Sequence, residues 1–304
     1  MSLPQKTAPN QTLLRVLLLV FGVFCGSTAV IMIKASTEQP FLVASFRLLV
    51  AALALSPFFI RDLRNYPGSY GWRQVGWAAL PALALAAHFM SWVIGVRMTQ
   101  VANASLIVNL TPVAMPFFVW IFYKARLSRQ EVLGTGLTLA GLFLLTGANL
   151  QVSQTSFLGD LICFGSMLCF ALYLALGRRN HHRLSLWLYM VPLYFIAGVI
   201  CLVAALPFIN PIKAYTVPNI LFFIGLALIP TVFGHTILNY SIRFFPEQVV
   251  SVTNLTQPVF AGLLGFVLFR ELPRPAFYAA AVVIMAGVLL VLLSEYRQRA
   301  AQKP

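Results

Sequence analysis

Residues 88–112 read HFMSWVIGVRMTQVANASLIVNLTP and residues 235–258 read HTILNYSIRFFPEQVVSVTNLTQP. Aligned, the two stretches set His88 against His235, Arg97 against Arg243, Asn109 against Asn254 and Pro112 against Pro258. Each pair lies 145 to 147 positions apart, and Gly141 meets Gly287 at the same spacing. Both copies carry an Asn-Leu-Thr triplet, Asn109-Leu110-Thr111 and Asn254-Leu255-Thr256. An offset that wanders by one residue is what a duplicated stretch with small insertions produces.

The surroundings of the two copies say where such a duplicate resides. Sixty per cent of the chain is apolar and 9% is charged, whereas a water-facing surface draws on about a quarter charged residues, so the chain belongs in a bilayer. Runs of about 18 to 25 apolar residues predict an all-α membrane protein of ten transmembrane helices, over residues 13–33, 41–60, 75–96, 102–123, 132–150, 158–176, 186–206, 220–240, 249–269 and 276–293. They divide into a first five-helix repeat, residues 13–150, and a second, residues 156–294. Because five is odd, the second repeat enters the bilayer from the opposite side and is inverted relative to the first. Inverted repeats are the architecture of alternating-access carriers, which bind cargo near the midplane between the repeats. The longest connections, residues 61–74 and 207–219, are short enough to require a single membrane domain.

The formal charge of +14 suggests nucleic acid, but the basic residues are scattered among short loops without a basic face or an aromatic stacking platform, and no nucleic-acid partner is expected. With the N-terminus inside, fifteen Lys and Arg residues fall on the cytoplasmic side against five outside, Lys34, Arg97, Lys213, Arg270 and Arg274, with Arg47 within a span. That positive-inside bias predicts both termini cytoplasmic and a multi-pass protein of the cell membrane, read as a bacterial inner membrane. Cys25, Cys163, Cys169 and Cys201 all fall within spans, where cysteine packs as a small apolar residue. No disulfide framework, metal or cofactor is expected. The first apolar run is too long and lacks the cleavage site of a signal peptide, so it reads as the first span. The glycosylation triplets at Asn103, Asn109 and Asn254 lie at membrane depth and carry no weight.

Polar groups at that depth are costly unless partnered or facing a cavity, about 2.5 to 3.5 kcal/mol for a central Arg or Lys, so those present are informative. Arg47 reads first as structural, bonding carbonyls or snorkelling to the outer interface, and second as a cargo contact. His88 and His235 occupy matching places and face each other across the pseudo-two-fold axis of an inverted repeat. One turn on stand Trp92 and Asn239, the latter next to Tyr240. His88, Asn109, His235, Asn239 and Asn254 are the candidate hydrogen-bonding residues for a substrate. Trp92, Tyr173 and Tyr240 are candidates for an aromatic wall. Pro112 and Pro258 free carbonyls one turn back; the neighbouring Thr111 and Thr256 read as kink repair, with the prolines as bending points. Gly22 and Gly26 form a small-xxx-small packing pair. An enzyme is not expected: the seven acidic residues, Glu38, Asp62, Glu131, Asp160, Glu247, Glu271 and Glu295, sit near span ends, and no phosphate loop, metal cluster or nucleophile elbow occurs.

These residues resemble the drug/metabolite transporter superfamily, and within it the EamA-like ten-span carriers. The first half carries Gly26-Ser27, Lys34, Arg47, Ala104-Ser105-Leu106, Pro112 and Gly141; the second carries Ala171-Leu172-Tyr173, Ser251, Pro258, Glu271-Leu272 and Gly287. The resemblance covers about residues 13–294 and lies in the order of the motifs in two copies. The family often places Glu before an Arg-Leu-Ser run at the end of span four; this chain has Ala125 there, and only the second copy keeps Glu271. The resemblance implies a central cavity lined by spans one, three, four, six, eight and nine. Its members carry amino acids and other metabolites, drugs, nucleotide sugars and sugar phosphates. A sugar phosphate calls for several cavity cations, and this chain offers Arg47 and Lys34. The expected function is export of a small metabolite, an amino acid or related compound, by alternating access. The alternatives are an exporter of hydrophobic drugs or cations, which commonly uses a mid-span carboxylate, and a non-transporting membrane factor.

Overall fold

The computed structural model describes residues 9–65, 70–99, 104, 107–124, 126–147, 154–181, 185–269 and 275–301. The Lys34 side chain, Ala125, Arg270, Glu271, Arg274, and the loop residues 148–153 and 182–184 lie outside the described residues. The elements are α1 (Pro9–Ser27), α2 (Ala29–Ala35), α3 (Pro40–Asn65), α4 (Trp72–Met98), α5 (Thr111–Tyr123), α6 (Arg129–Gly147), α7 (Gln154–His181), α8 (Leu186–Ala205) and α9 (Val217–Leu226). The last continues through a π-helical segment, Ala227–His235, into α10 (Thr236–Ser241), followed by α11 (Glu247–Asn254), α12 (Gln257–Phe269) and α13 (Pro275–Ala301). Among the described residues there is no strand, as expected where the backbone must satisfy its own hydrogen bonds without water.

Among the described residues, six helical stretches are long and apolar enough to cross a membrane: Gln11–Ile33, Pro40–Asn65, Trp72–Met98, Phe157–Gly177, Leu186–Ala205 and Val217–Ser241. Thr111–Tyr123 and Tyr278–Ser294 are shorter apolar helices. Local signals set several boundaries. Ser128 and Glu131 exchange a capping box at the start of α6, the Ser128 N–H donating to Glu131 Oε2 at 2.7 Å and the Glu131 N–H to Ser128 Oγ at 3.2 Å. Ser185 caps α8 by accepting from the Leu188 N–H.

Packing follows the duplication. Along the bundle, α3 lies on α8, α6 on α13, α4 on α7, and α1 on the π-helical segment. When the first half is exchanged with the second, α3 with α8 and α6 with α13 map onto themselves, and α4 with α7 maps onto α1 with the π-helical segment. That is the pairing a two-fold axis between the halves requires. Small residues make the closest contacts. A Cβ built on Gly234 would stand 3.3 Å from the Gly26 nitrogen and 3.4 Å from its Cα, so α1 meets the π-helical segment backbone to backbone. Gly26 and Gly22 thus serve the packing role their spacing predicts.

Two sequence expectations change. The runs 102–123 and 249–269 read as continuous helices bent at a proline, but each is interrupted. Asn109 and Leu110 form a turn before α5, and Leu255 and Thr256 form one between α11 and α12. Both Asn-Leu-Thr triplets therefore mark breaks, not bends, because Pro112 and Pro258 sit at the second position of the new helix, where a missing N–H costs nothing. The threonines hold the breaks: Thr111 Oγ1 donates to the Val108 carbonyl at 2.7 Å and Thr256 Oγ1 to the Thr253 carbonyl at 2.9 Å. The run 220–240 also reads as a plain α-helix, yet its centre is π-helical around Pro230. A π-bulge widens the turn at a position where the proline ring would clash with an α-helical carbonyl.

Candidate functional site

Between the two halves lies a narrow cavity of about 50 Å³. Its wall takes Gly26, Ala29 and Val30 from α1 and α2, Arg47 from α3, and His88, Phe89 and Trp92 from α4. Val108 comes from before α5, Phe170 from α7, Pro230, His235 and Leu238 from the π-helical segment and α10, and Asn254 and Gln257 from the second break. Those are spans one, three, four, six, eight and nine, with span two added through Arg47. Ligand pockets that hold a small molecule usually offer about 300 to 1,000 Å³, several times the volume enclosed here.

Arg47 is among the largest fully buried side chains of the described residues, 1% exposed. Its Nε donates to Thr231 Oγ1 at 3.0 Å, and its guanidinium carbon stands 4.1 Å from the Phe89 ring centroid, a cation–π arrangement. Nη1 and Nη2 have no hydrogen-bond partner among the described residues. Arg47 therefore neither bonds carbonyls nor snorkels. Thr231 can accept because its own hydroxyl proton is engaged with the Leu226 carbonyl at 2.7 Å. The Tyr194 hydroxyl lies 3.0 Å from Thr236 Oγ1 and donates toward the Thr231 carbonyl at 3.3 Å, bracing the segment.

The two histidines come together as the repeat predicts, ring centroids 6.2 Å apart. His88 Nδ1 lies 3.1 Å from the Ser166 carbonyl and 2.9 Å from Ser166 Oγ, which itself donates to the His88 carbonyl at 2.9 Å. A carbonyl only accepts, so Nδ1 carries the proton, and in the neutral ring Nε2 is an acceptor. His88 stacks on Phe170 at 4.8 Å, and His235 meets the edge of Phe89 at 4.9 Å. His235 Nδ1 has no partner among the described residues.

The other candidates divide. Trp92 and Asn254 line the cavity, and Asn254 Oδ1 accepts from Gln257 Nε2 at 2.6 Å. Tyr173 and Asn239 form a layer behind it: the Asn239 amide donates to the Tyr173 hydroxyl and to the His235 carbonyl, the latter at 2.9 Å, while the Tyr173 ring lies 6.3 Å from His235. Asn109 is buried in the first break beside the cavity residue Val108. Tyr240 packs edge-on against Phe244 at 5.0 Å and is not part of the wall. Pro112 and Pro258 start α5 and α12. Sequence reading missed Phe89, Phe170, Ser166 and Thr231, which are unremarkable residues in apolar runs. Gln257, adjoining the repeated triplet, belongs to the polar rung at mid-depth that the sequence itself marks out.

Where α2 runs into α3, a polar cluster ties the halves together. Lys213 pairs with Glu38 Oε2 at 2.7 Å and Asn219 Nδ2 donates to Oε1 at 3.1 Å. Arg97 donates to the Glu38 and Ser36 carbonyls at 2.6 and 2.9 Å. Among the described residues no group of His, Cys, Asp and Glu side chains could hold a metal ion.

The chain is similar to known proteins. The chain is 26% identical over 249 residues to an uncharacterized transporter of Archaeoglobus fulgidus, covering 82% of this chain and 85% of that one. It is 23% identical over 291 residues to the uncharacterized transporter YwfM of Bacillus subtilis, covering 93% and 95%. A solved crystal structure at 16% identity superposes with a TM-score of 0.77 over 93% of this chain and 98% of that one, a likeness of fold. The model of the EamA-like transporter family matches twice, over residues 13–147 and 157–293. With nearly the whole chain matched in two copies, the protein belongs to the EamA-like transporter family, consistent with the drug/metabolite transporter superfamily.

Proposed function

We propose that this transporter exports a small metabolite, an amino acid or related compound, across a bacterial inner membrane by alternating access. The carrying observation is the cavity between the halves, in which Arg47, His88, His235, Trp92, Asn254 and Gln257 converge within aromatic walls. Such a wall suits a molecule with one polar end and an apolar side chain. Among the described residues it contains no carboxylate, which counts against hydrophobic cations. In this reading all ten helical rods cross the bilayer as two inverted five-helix repeats, over residues 13–150 and 156–294, with both termini cytoplasmic. The exchange-symmetric packing and the fifteen-to-five distribution of basic residues support it. The Glu38 cluster then lies on the outer side, and its release opens the cavity outward. The breaks at Asn109 and Asn254, before Pro112 and Pro258, are where the rods flex.

Counterflow by the purified protein in liposomes, against a panel of the standard amino acids, tests this. Exchange of at least one amino acid above protein-free liposomes is expected, and exchange of none rejects the cargo class. His88→Ala and His235→Ala are each expected to lower the exchange rate by about tenfold or more, as loss of a hydrogen bond to a polar cargo group does. Wild-type rates and selectivity in both variants would remove the histidines from the binding role.

A further inference from the structure

Arg47 brings a full positive charge to the middle of the wall, and that charge is only partly engaged. Nε is fixed on Thr231 Oγ1 at 3.0 Å and one face of the guanidinium lies on Phe89. Both terminal nitrogens are buried without a partner among the described residues. Fixing Nε and the plane leaves the Nη1–Nη2 edge as a planar pair of donors, the geometry that takes a carboxylate through two parallel hydrogen bonds. A buried charge left unpaired is costly, so an anion that reaches this edge is bound strongly. Among the described residues the wall offers no competing acid: Glu38 is engaged with Lys213 and Asn219 in the polar cluster, and Asp62 pairs with its neighbour Arg61. Gln257, at the start of α12, lies on the same wall, and the positive end of that helix dipole has the same sign.

We infer that Arg47 is the cargo-binding cation of this carrier and that the site selects molecules bearing a single carboxylate, held on the Nη1–Nη2 edge with the apolar part against Phe89, Trp92 and Phe170. This rests on the transport reading above and narrows it. Among the described residues the wall carries one fixed cation and no second, which matches a monocarboxylate better than a dianion. An amine alone finds no partner of opposite charge, so the carboxylate, not the ammonium group, is the recognised end.

The test titrates the full chain in lipid nanodiscs at pH 7 with 3-phenylpropanoate, phenylalanine and phenethylamine, which share a ring and differ in their charged ends. 3-Phenylpropanoate is expected to bind about tenfold or more tighter than phenethylamine. Arg47→Gln is expected to erase that difference, and Arg47→Lys, which keeps the charge without the fork, to retain the anion preference at reduced affinity. Equal binding of the two singly charged probes by the wild type, no binding of 3-phenylpropanoate, or an unchanged preference in Arg47→Gln overturns the inference. Should Arg47→Gln not fold, the wild-type comparison and Arg47→Lys still decide it. Binding of 3-phenylpropanoate with rejection of phenylalanine removes the amino-acid reading and leaves this inference standing. Amino-acid counterflow that persists undiminished in Arg47→Gln does the reverse.

Discussion

Gly287→Leu is expected to yield almost no correctly assembled protein. Gly287 is the counterpart of Gly141 in the repeat, and both lie where α6 and α13 cross. A Cβ on Gly287 would come within 2.6 Å of the Thr138 nitrogen and 2.7 Å of the Gly134 carbonyl oxygen. Both are backbone atoms of α6, so no side chain can swing aside and the helices themselves must separate. Overpacking a tight core costs about 1 to 3 kcal/mol, which alanine would already incur, and leucine should exceed that range. The measurement is the fraction of detergent-solubilised protein that elutes as a single species, followed by its thermal midpoint. Gly136→Leu, on the same helix α6 but with open space at its Cβ, is the control and is expected to change stability by no more than about 0.5 kcal/mol. A Gly287→Leu protein as abundant and as heat-stable as the control would show that the two halves do not close through this crossing.

The second large effect is expected at Thr231, where one hydroxyl serves two partners. It donates to the Leu226 carbonyl, spanning the widened turn at 2.7 Å, and accepts from Arg47 Nε at 3.0 Å. Thr231→Val keeps the shape and removes both bonds, leaving a buried guanidinium nitrogen and a π-helical carbonyl with one partner fewer. Loss of a hydrogen bond to a buried charged group costs about 1.5 to 3 kcal/mol. Stability should fall by about that much, and Arg47, no longer held in orientation, should bind 3-phenylpropanoate more weakly. Thr231→Ser restores the hydroxyl and should recover both properties. Thermal melts and the same nanodisc titration read the two effects separately. If valine matches threonine in both, the hydroxyl does not hold Arg47.

Family membership and the matching of the two copies are both legible in the sequence, because a bilayer leaves the sequence little freedom. Apolar runs must be helical, and a duplicated run carries its packing surface with it. The same logic made His88 and His235 readable as a pair, and the two halves do bring their rings to 6.2 Å. Tyr240 was less legible: it sits one residue from Asn239, and a neighbour one residue along a helix points about 100° away, here toward Phe244.

What the sequence determined by itself was an all-helical chain for a membrane, the register of its two copies, and which polar residues required an explanation at depth. These follow from hydropathy and from periodicity, properties of single segments. The tertiary structure decided which of those residues share a wall, because that depends on how rods distant in the chain are rotated about their axes. It converted two expected bends into breaks and one expected α-helix into a π-helical turn. It also set Arg47 on the cavity wall, where its hydroxyl partner Thr231 stands 184 positions away in a stretch whose own sequence gives no sign of the encounter.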